Sequence, residues 1–236
     1  MTNENRLLFL FFCGIINKTE KGGESVVYLT YAEIENKDAD AIASCLNGEI
    51  FGKSYVDAIL ARKSTSSVKE SLSSLLLLQK TLSLAGIDTR GLKIQRKENG
   101  RPCFEGHETL DFSISHSENA VAVALSTNGK VGVDVERVGA VKDTKRLAAR
   151  FFSESENKRL EKSEKYENEC IEIWTRKEAY IKYSEIKVER IADVDTENAQ
   201  DVRFYSENVD VKSNAYVLTL CVSKSSNAND VRAIKL

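Results

Sequence analysis

The sequence predicts an α+β fold in a chain of 236 residues, and three observations carry that prediction. Segments with strand-like alternation are grouped apart from segments with helical periodicity, in the order strands, helices, strands, helices, strands. Hydrophobic residues make up 42% of the chain, enough for one substantial core or two smaller ones. The two halves of the chain meet near Asn128 to Lys130, which divides it into an N-terminal lobe, 1–129, and a C-terminal lobe, 130–236.

Leu7 to Ile16 is the most apolar run and reads as a buried strand. It falls short of the roughly 20 apolar residues that cross a bilayer, and it lacks the basic start and small-residue cleavage site of a leader. A second strand is expected from Ser25 to Ala32, then a helical stretch around Asp38 to Leu46. In the longer helix that follows, Ser67 and Glu70 have capping-box spacing. Val68, Leu72, Leu75, Leu76, Leu82 and Ala85 share its buried face, and Gly86 ends it. Strands are expected near Leu92 to Arg96, Phe112 to Ser115, Ala120 to Ser126 and Val131 to Glu136, with Asn128-Gly129 as a hairpin turn between the last two. Ser153 and Glu156 form a second capping-box pattern, a helix surrounds Trp174, and strands return near Val202 to Tyr205, Tyr216 to Val222 and Val231 to Ile234.

Two segments carry the chemistry. In Val131-Gly132-Val133-Asp134-Val135-Glu136 the period of two puts Asp134 and Glu136 on one strand face, about 7 Å apart. Hard carboxylate oxygens at that spacing suit Mg²⁺, which usually combines one or two carboxylates with phosphate oxygens. Alone, D-x-E is a common pattern. In Ile171 to Lys182 the helical period aligns Trp174, Glu178 and Lys182 in one stripe, which alone would be an ordinary i,i+4 ion pair beside a tryptophan. Upstream lie Asn99-Gly100-Arg101-Pro102 and Asp111-Phe112-Ser113-Ile114-Ser115-His116-Ser117.

The order GRP, FSISHS, VGVDVE, RFFSESE, WTRKEAYIK resembles the 4′-phosphopantetheinyl transferases, in particular their larger Sfp-type branch, over roughly Gly100 to Lys182. The resemblance implies two similar lobes, each an antiparallel sheet packed with helices, in a pseudo-twofold arrangement. It implies transfer of the phosphopantetheine arm of coenzyme A to a serine of an apo acyl, peptidyl or aryl carrier protein, releasing 3′,5′-ADP. Asp134, Glu136 and Glu178 would hold Mg²⁺ against the pyrophosphate, with Lys182 facing the phosphates and Ser115 and His116 contacting them. Arg101 stands where the family has a lysine and keeps its charge. Glu178, directly or through water, is a candidate general base, with Lys182 the alternative.

Other expectations follow. Asp111 would face solvent, away from a phosphate site, and His107 would sit in a surface loop. Lys53, Arg62, Lys63 and Ser71 mark a region able to grip the 3′-phosphate. Lys142, Lys145, Arg146 and Arg150 recur at helical spacing and could meet an acidic carrier helix, or form a solvated face. A net charge of −2 with no basic stripe disfavours nucleic acid, and nothing points to a membrane. Cys13, Cys45, Cys103, Cys170 and Cys221 are widely spaced and read as buried reduced thiols of a cytoplasmic protein, and the two lobes that the resemblance implies would let a monomer suffice. Two other classes use the same residues: a metal-dependent phosphodiesterase or nucleotidyl transferase, and a non-catalytic CoA-binding module.

Overall fold

Alternation within the strands decides how the layers stack. The computed structural model describes residues 26–226 and 233–236. The apolar run Leu7 to Ile16 and Cys13 lie outside the described residues. In chain order the elements are β1 (Val27–Glu33), α1 (Ala39–Ala43), α2 (Gly48–Phe51), α3 (Lys53–Leu60), α4 (Thr65–Leu84), β2 (Ile94–Arg96), β3 (Pro102–Phe104), β4 (Asp111–Ser117), β5 (Ala120–Ser126) and β6 (Val131–Arg137). Then come α5 (Thr144–Phe151), α6 (Glu154–Glu161), α7 (Tyr166–Ser184), a 3₁₀ helix (Val188–Asp193), β7 (Val202–Val211), β8 (Asn214–Ser223) and β9 (Ile234–Lys235).

One sheet has the order β4-β5-β1-β9, antiparallel except for the β1–β9 pair. A second, β6-β8-β7, is antiparallel throughout, and β2 and β3 form a separate ribbon. The fold is thus α+β with antiparallel sheets and helices. Strand β5 is buried on both faces. Its Val121, Val123 and Leu125 pack into the cluster built around Leu72, Leu78 and Leu82 of α4. Its Ala120, Ala122 and Ala124 face the other way, onto Val131, Val133 and Val135 of β6 and Leu218, Leu220 and Val222 of β8. Small side chains on that face let the two sheets approach, and α7 covers the far face of the second sheet.

Helix α4 starts one turn earlier than the capping-box pattern indicates. Ser64 is the cap, accepting from the Ser67 N–H at 3.2 Å, while Glu70 accepts from Ser66 instead. A run of serines between Ser64 and Ser67 offers several caps, and the first in register with the buried leucines wins. The Ser153 and Glu156 capping box is present with both bonds. Ala85 and Gly86, the latter at φ 65°, close α4 as expected.

Asn128-Gly129 is not a hairpin turn, because β5 pairs with β4 and β1 whereas β6 pairs with β8. Its glycine, at φ 108°, turns the chain from one sheet to the next. The hairpin of this half lies between β7 and β8, where Lys212 and Ser213 adopt φ 49° and 62° without glycine. Of the expected last strand, Val231 to Ile234, only Ile234 pairs among the described residues; with Lys235 it lies alongside Thr30 and Tyr31.

Gly132 fixes the distance between α7 and β6. A Cβ on Gly132 would lie 2.0 Å from the Ala179 carbonyl oxygen and 2.7 Å from the Tyr183 nitrogen, both backbone atoms that cannot rotate away. Gly132→Ala is therefore expected to push α7 outward and destabilise the fold by about 1–3 kcal/mol, the usual cost of overpacking. An unchanged urea midpoint would show that the helix is not seated by this glycine.

Candidate active site

The close seat of α7 on β6 brings two sets of polar side chains to one cleft of about 950 Å³. From β6 come Asp134 and Glu136, on the strand face opposite the valines. From α7 come Trp174, Glu178 and Lys182, and from β4 come Ser115 and His116, all lining the same cavity. The helical stripe and the strand alternation expected from the sequence therefore meet in space.

Lys182 Nζ donates to Asp134 Oδ1 at 2.7 Å, to Ser115 Oγ at 2.9 Å and to the Val133 carbonyl at 3.0 Å. Ser115 Oγ in turn donates to Asp134 Oδ1 at 2.7 Å, and Ser117 Oγ donates to Glu136 Oε2 at 2.6 Å. Asp134 is 3% exposed, and its Oδ2 is buried without a hydrogen-bond partner. Burial and then the neighbouring Asp134 push Glu136 up to about 7, against the help of Ser117 and Lys182. The same two causes, in the same order, raise Glu178. Burial pulls the half-exposed His116 below its ordinary value, although Glu70 stands 3.5 Å from its Nδ1.

The donor set fits a hard divalent cation. Three carboxylates share a cavity, Asp134 disfavours the ionised form of the other two, and one buried oxygen lacks a partner. Among the described residues, no group of three or more His, Cys, Asp or Glu side chains is gathered closely enough to hold a metal ion by itself. An ion held by few protein ligands, the rest being water and phosphate oxygens, is the kind this arrangement accepts.

Asp111 does not face solvent. It is 9% exposed and receives a bidentate pair from Arg101, Nη1 to Oδ1 at 2.8 Å and Nη2 to Oδ2 at 2.7 Å, while its Oδ2 also accepts the Val131 N–H. The arginine at the turn makes burial of this acid possible, since an unpaired buried carboxylate would be costly. Arg101 also donates to the carbonyls of Phe112 and Val131 at 3.0 Å, so the side of it that lines the cleft belongs to a guanidinium already well occupied.

Of the residues grouped near the 3′-phosphate, Arg62 and Ser71 line the cleft, joined by a 2.8 Å hydrogen bond, whereas Lys53 and Lys63 are exposed elsewhere. Tyr55 and Arg96 line the same wall, the guanidinium 5.1 Å from the ring centroid. Nothing in the sequence pattern singled them out. Lys145, Arg146 and Arg150 are exposed on α5, and His107 is exposed in a loop. Among the thiols, Cys170 and Cys221 are buried, but Cys103 is half-buried and Cys45 exposed, because the short α1 leaves its C-terminal end at the surface. No helix among the described residues is long and apolar enough to cross a membrane.

One wall of this cleft, with acids on a strand facing a Glu and a Lys one turn apart on a helix, lies within a recognisable family segment. Residues 130–227 match the family described as the 4′-phosphopantetheinyl transferase superfamily, so the resemblance seen in the motifs holds for the segment bearing both β6 and α7. The chain is 35% identical over 102 residues to the 4′-phosphopantetheinyl transferase AcpT of Salmonella typhi, covering 42% of this chain and 53% of the relative. It is 29% identical over 102 residues to the 4′-phosphopantetheinyl transferase HetI of Nostoc sp., covering 41% and 43%. A putative 4′-phosphopantetheinyl transferase of Haemophilus influenzae is 46% identical over 66 residues, covering 26% and 28%. The chain thus spans about half, or less, of the length of the curated relatives it matches.

The raised Glu136 has a consequence for stability. Its folded value of about 7 exceeds the ordinary 4.5, so between these values the folded state holds a proton that the unfolded state releases. In metal-free protein, stability should fall as the pH rises from about 4.5 to about 7 and level off above. Glu136→Gln should flatten that slope in urea melts with a chelator present. An equal slope in the variant would mean that Glu136 titrates in the ordinary carboxylate range.

Proposed function

We propose that the protein transfers the 4′-phosphopantetheine moiety of coenzyme A to a serine hydroxyl of an apo carrier protein, releasing 3′,5′-ADP, in a Mg²⁺-dependent reaction. The observation that carries this reading is the convergence of Asp134, Glu136, Glu178 and Lys182 on one cleft, within the segment shared with the named transferases. The reading extends to an Sfp-type chain acting as a cytoplasmic monomer, with lobes 1–129 and 130–236 in pseudo-twofold arrangement and CoA between them.

In the reaction the carrier serine Oγ bonds to the β-phosphorus of CoA, the bond from that phosphorus to the bridging oxygen breaks, and 3′,5′-ADP leaves with the electron pair. Mg²⁺, when bound, neutralises charge on the pyrophosphate. Asp134, Glu136 and Glu178 would hold it. The protein's further part is positioning and charge complementarity, which dominate phosphoryl transfer. Ser115 and His116 orient the phosphates by hydrogen bonds from the β4 edge. Lys182 supplies a charge-assisted donor. Glu178, directly or through a water, takes the serine proton, while the Lys182 ammonium is engaged by Asp134. Arg62 and Ser71 face the part of the cleft that would receive the 3′-phosphate.

Incubation with CoA, Mg²⁺ and an apo carrier should add one phosphopantetheine to the carrier by intact mass. Asp134→Ala should lower the rate by about 10²–10³, and a chelator should abolish it. Transfer that survives both controls would overturn the metal role; CoA hydrolysis without transfer would favour a phosphodiesterase.

The exposed basic face of α5 would meet an acidic helix of the carrier. Charge reversal at Lys145 and Arg146 should raise the KM for carrier severalfold and leave the KM for CoA unchanged. Equal effects on both constants, or none, would remove this face from the docking surface.

A further inference from the structure

The pair Lys177–Glu156 is buried at 0% exposure on both side chains and takes no part in the reaction proposed above. Lys177 Nζ lies 2.8 Å from Glu156 Oε2 and donates to the carbonyls of Ile191, at 3.4 Å, and Val194. Glu156 Oε1 accepts from the Thr196 N–H at 2.9 Å and its hydroxyl at 2.8 Å, and Oε2 accepts from the Ser153 N–H at 2.8 Å. One ammonium and one carboxylate thus saturate each other and tie three pieces of chain: the start of α6, the middle of α7 and the segment 191–196. A buried ion pair of this kind is weak evidence for stability, since an apolar replacement often serves as well. Its geometry suggests another use.

Glu178 follows Lys177 and points about 100° further round the helix, into the cleft. Between α7 and the anchored carbonyls, residues 186–189 run along the rim of that cleft. This strap has little packing of its own, with Val188 60% and Ile186 36% exposed. It is held at its ends. Glu185 is bound by Lys97 at 2.6 Å, Arg101 at 3.4 Å and Lys130 at 3.5 Å, and the other end returns to Lys177 through Ile191 and Val194, whose side chains pack on Ile181.

We propose that Lys177 and Glu156 are positioning residues which set the rotational phase of α7, and so the aim of Glu178, and fasten the 186–189 strap to the rim. For its effect on turnover the inference rests on the transferase reading. Lys177→Met and Glu156→Gln each leave one buried partner unsatisfied and should lower the melting temperature. The double variant Lys177→Met/Glu156→Gln removes both charges and should recover much of it. Its kcat should nevertheless stay down by about 10²-fold, the scale of a 1 Å misplacement, with the KM for carrier unchanged. Amides of 186–194 should exchange faster, and the emission of Trp174, which packs on Phe151 and lines the cleft, should shift.

Recovery of kcat together with stability would overturn the proposal, as would unchanged exchange in 186–194 or failure of the double variant to fold. If the unaltered protein transfers nothing to any carrier, the functional reading fails. Amide exchange and Trp174 emission then still decide whether the pair holds the strap.

Discussion

Among the described residues no strand pairs with the outer edge of β6, and the architecture of the cleft follows from how that edge is satisfied. The Val131 N–H goes to Asp111 Oδ2 and its carbonyl to Arg101; the Val133 N–H goes to Ser113 Oγ and its carbonyl to Lys182. Four backbone groups that a neighbouring strand would otherwise pair are met by side chains from β4, from the turn before β3 and from α7. Each left bare inside the protein would cost about 1–3 kcal/mol. A side chain reaches further than a backbone does, so the two sheets stand apart at this seam instead of fusing into one. Three of those side chains, Arg101, Ser113 and Lys182, also line the cleft.

The same economy explains the placement of charge. Lys182 satisfies a carbonyl of the edge and the carboxylate of Asp134 at once, so it is held by structure at the place where the proposed chemistry would use a cation. Gly132 lets the helix come near enough for this, and Lys177 holds the opposite side of the same helix in a buried pair. Adjacent residues of one motif, Lys177 and Glu178, therefore do different work: the first looks into protein and the second into the cleft.

Local patterns in the sequence gave away the local parts of this arrangement. The alternation around Asp134, the stripe of Trp174, Glu178 and Lys182, the capping box at Ser153 and the stop at Gly86 each depend on residues within a turn or two of one another. What depended on distant partners was not legible. Asn128-Gly129 has the composition of a hairpin turn, yet whether it joins strands of one sheet is decided by β8, about ninety residues on. Asp111 reads as a surface acid until Arg101 is known to fold onto it. Gly132 did carry a signal, a glycine inside a valine-rich strand, which marks close approach of another backbone. The Lys177–Glu156 pair carried none, since each residue alone looks like an ordinary helical charge.

The cleft has walls of unlike charge. One wall, β6 with α7, bears Asp134, Glu136 and Glu178 against the single ammonium of Lys182; the other bears Arg62 and Arg96 beside Tyr55. A polyanion can settle on the second wall through direct hydrogen bonds, but against the first it meets net repulsion that burial strengthens, as the raised Glu136 and Glu178 register. Contact there requires an added cation, or protons. A ligand with phosphate at both ends of its anionic part, such as the proposed cosubstrate, would thus be gripped by the protein alone at one end and only together with a metal at the other. On the proposed reading, that asymmetry would put the metal where a phosphorus is to be attacked and leave the remaining phosphate to serve as an anchor.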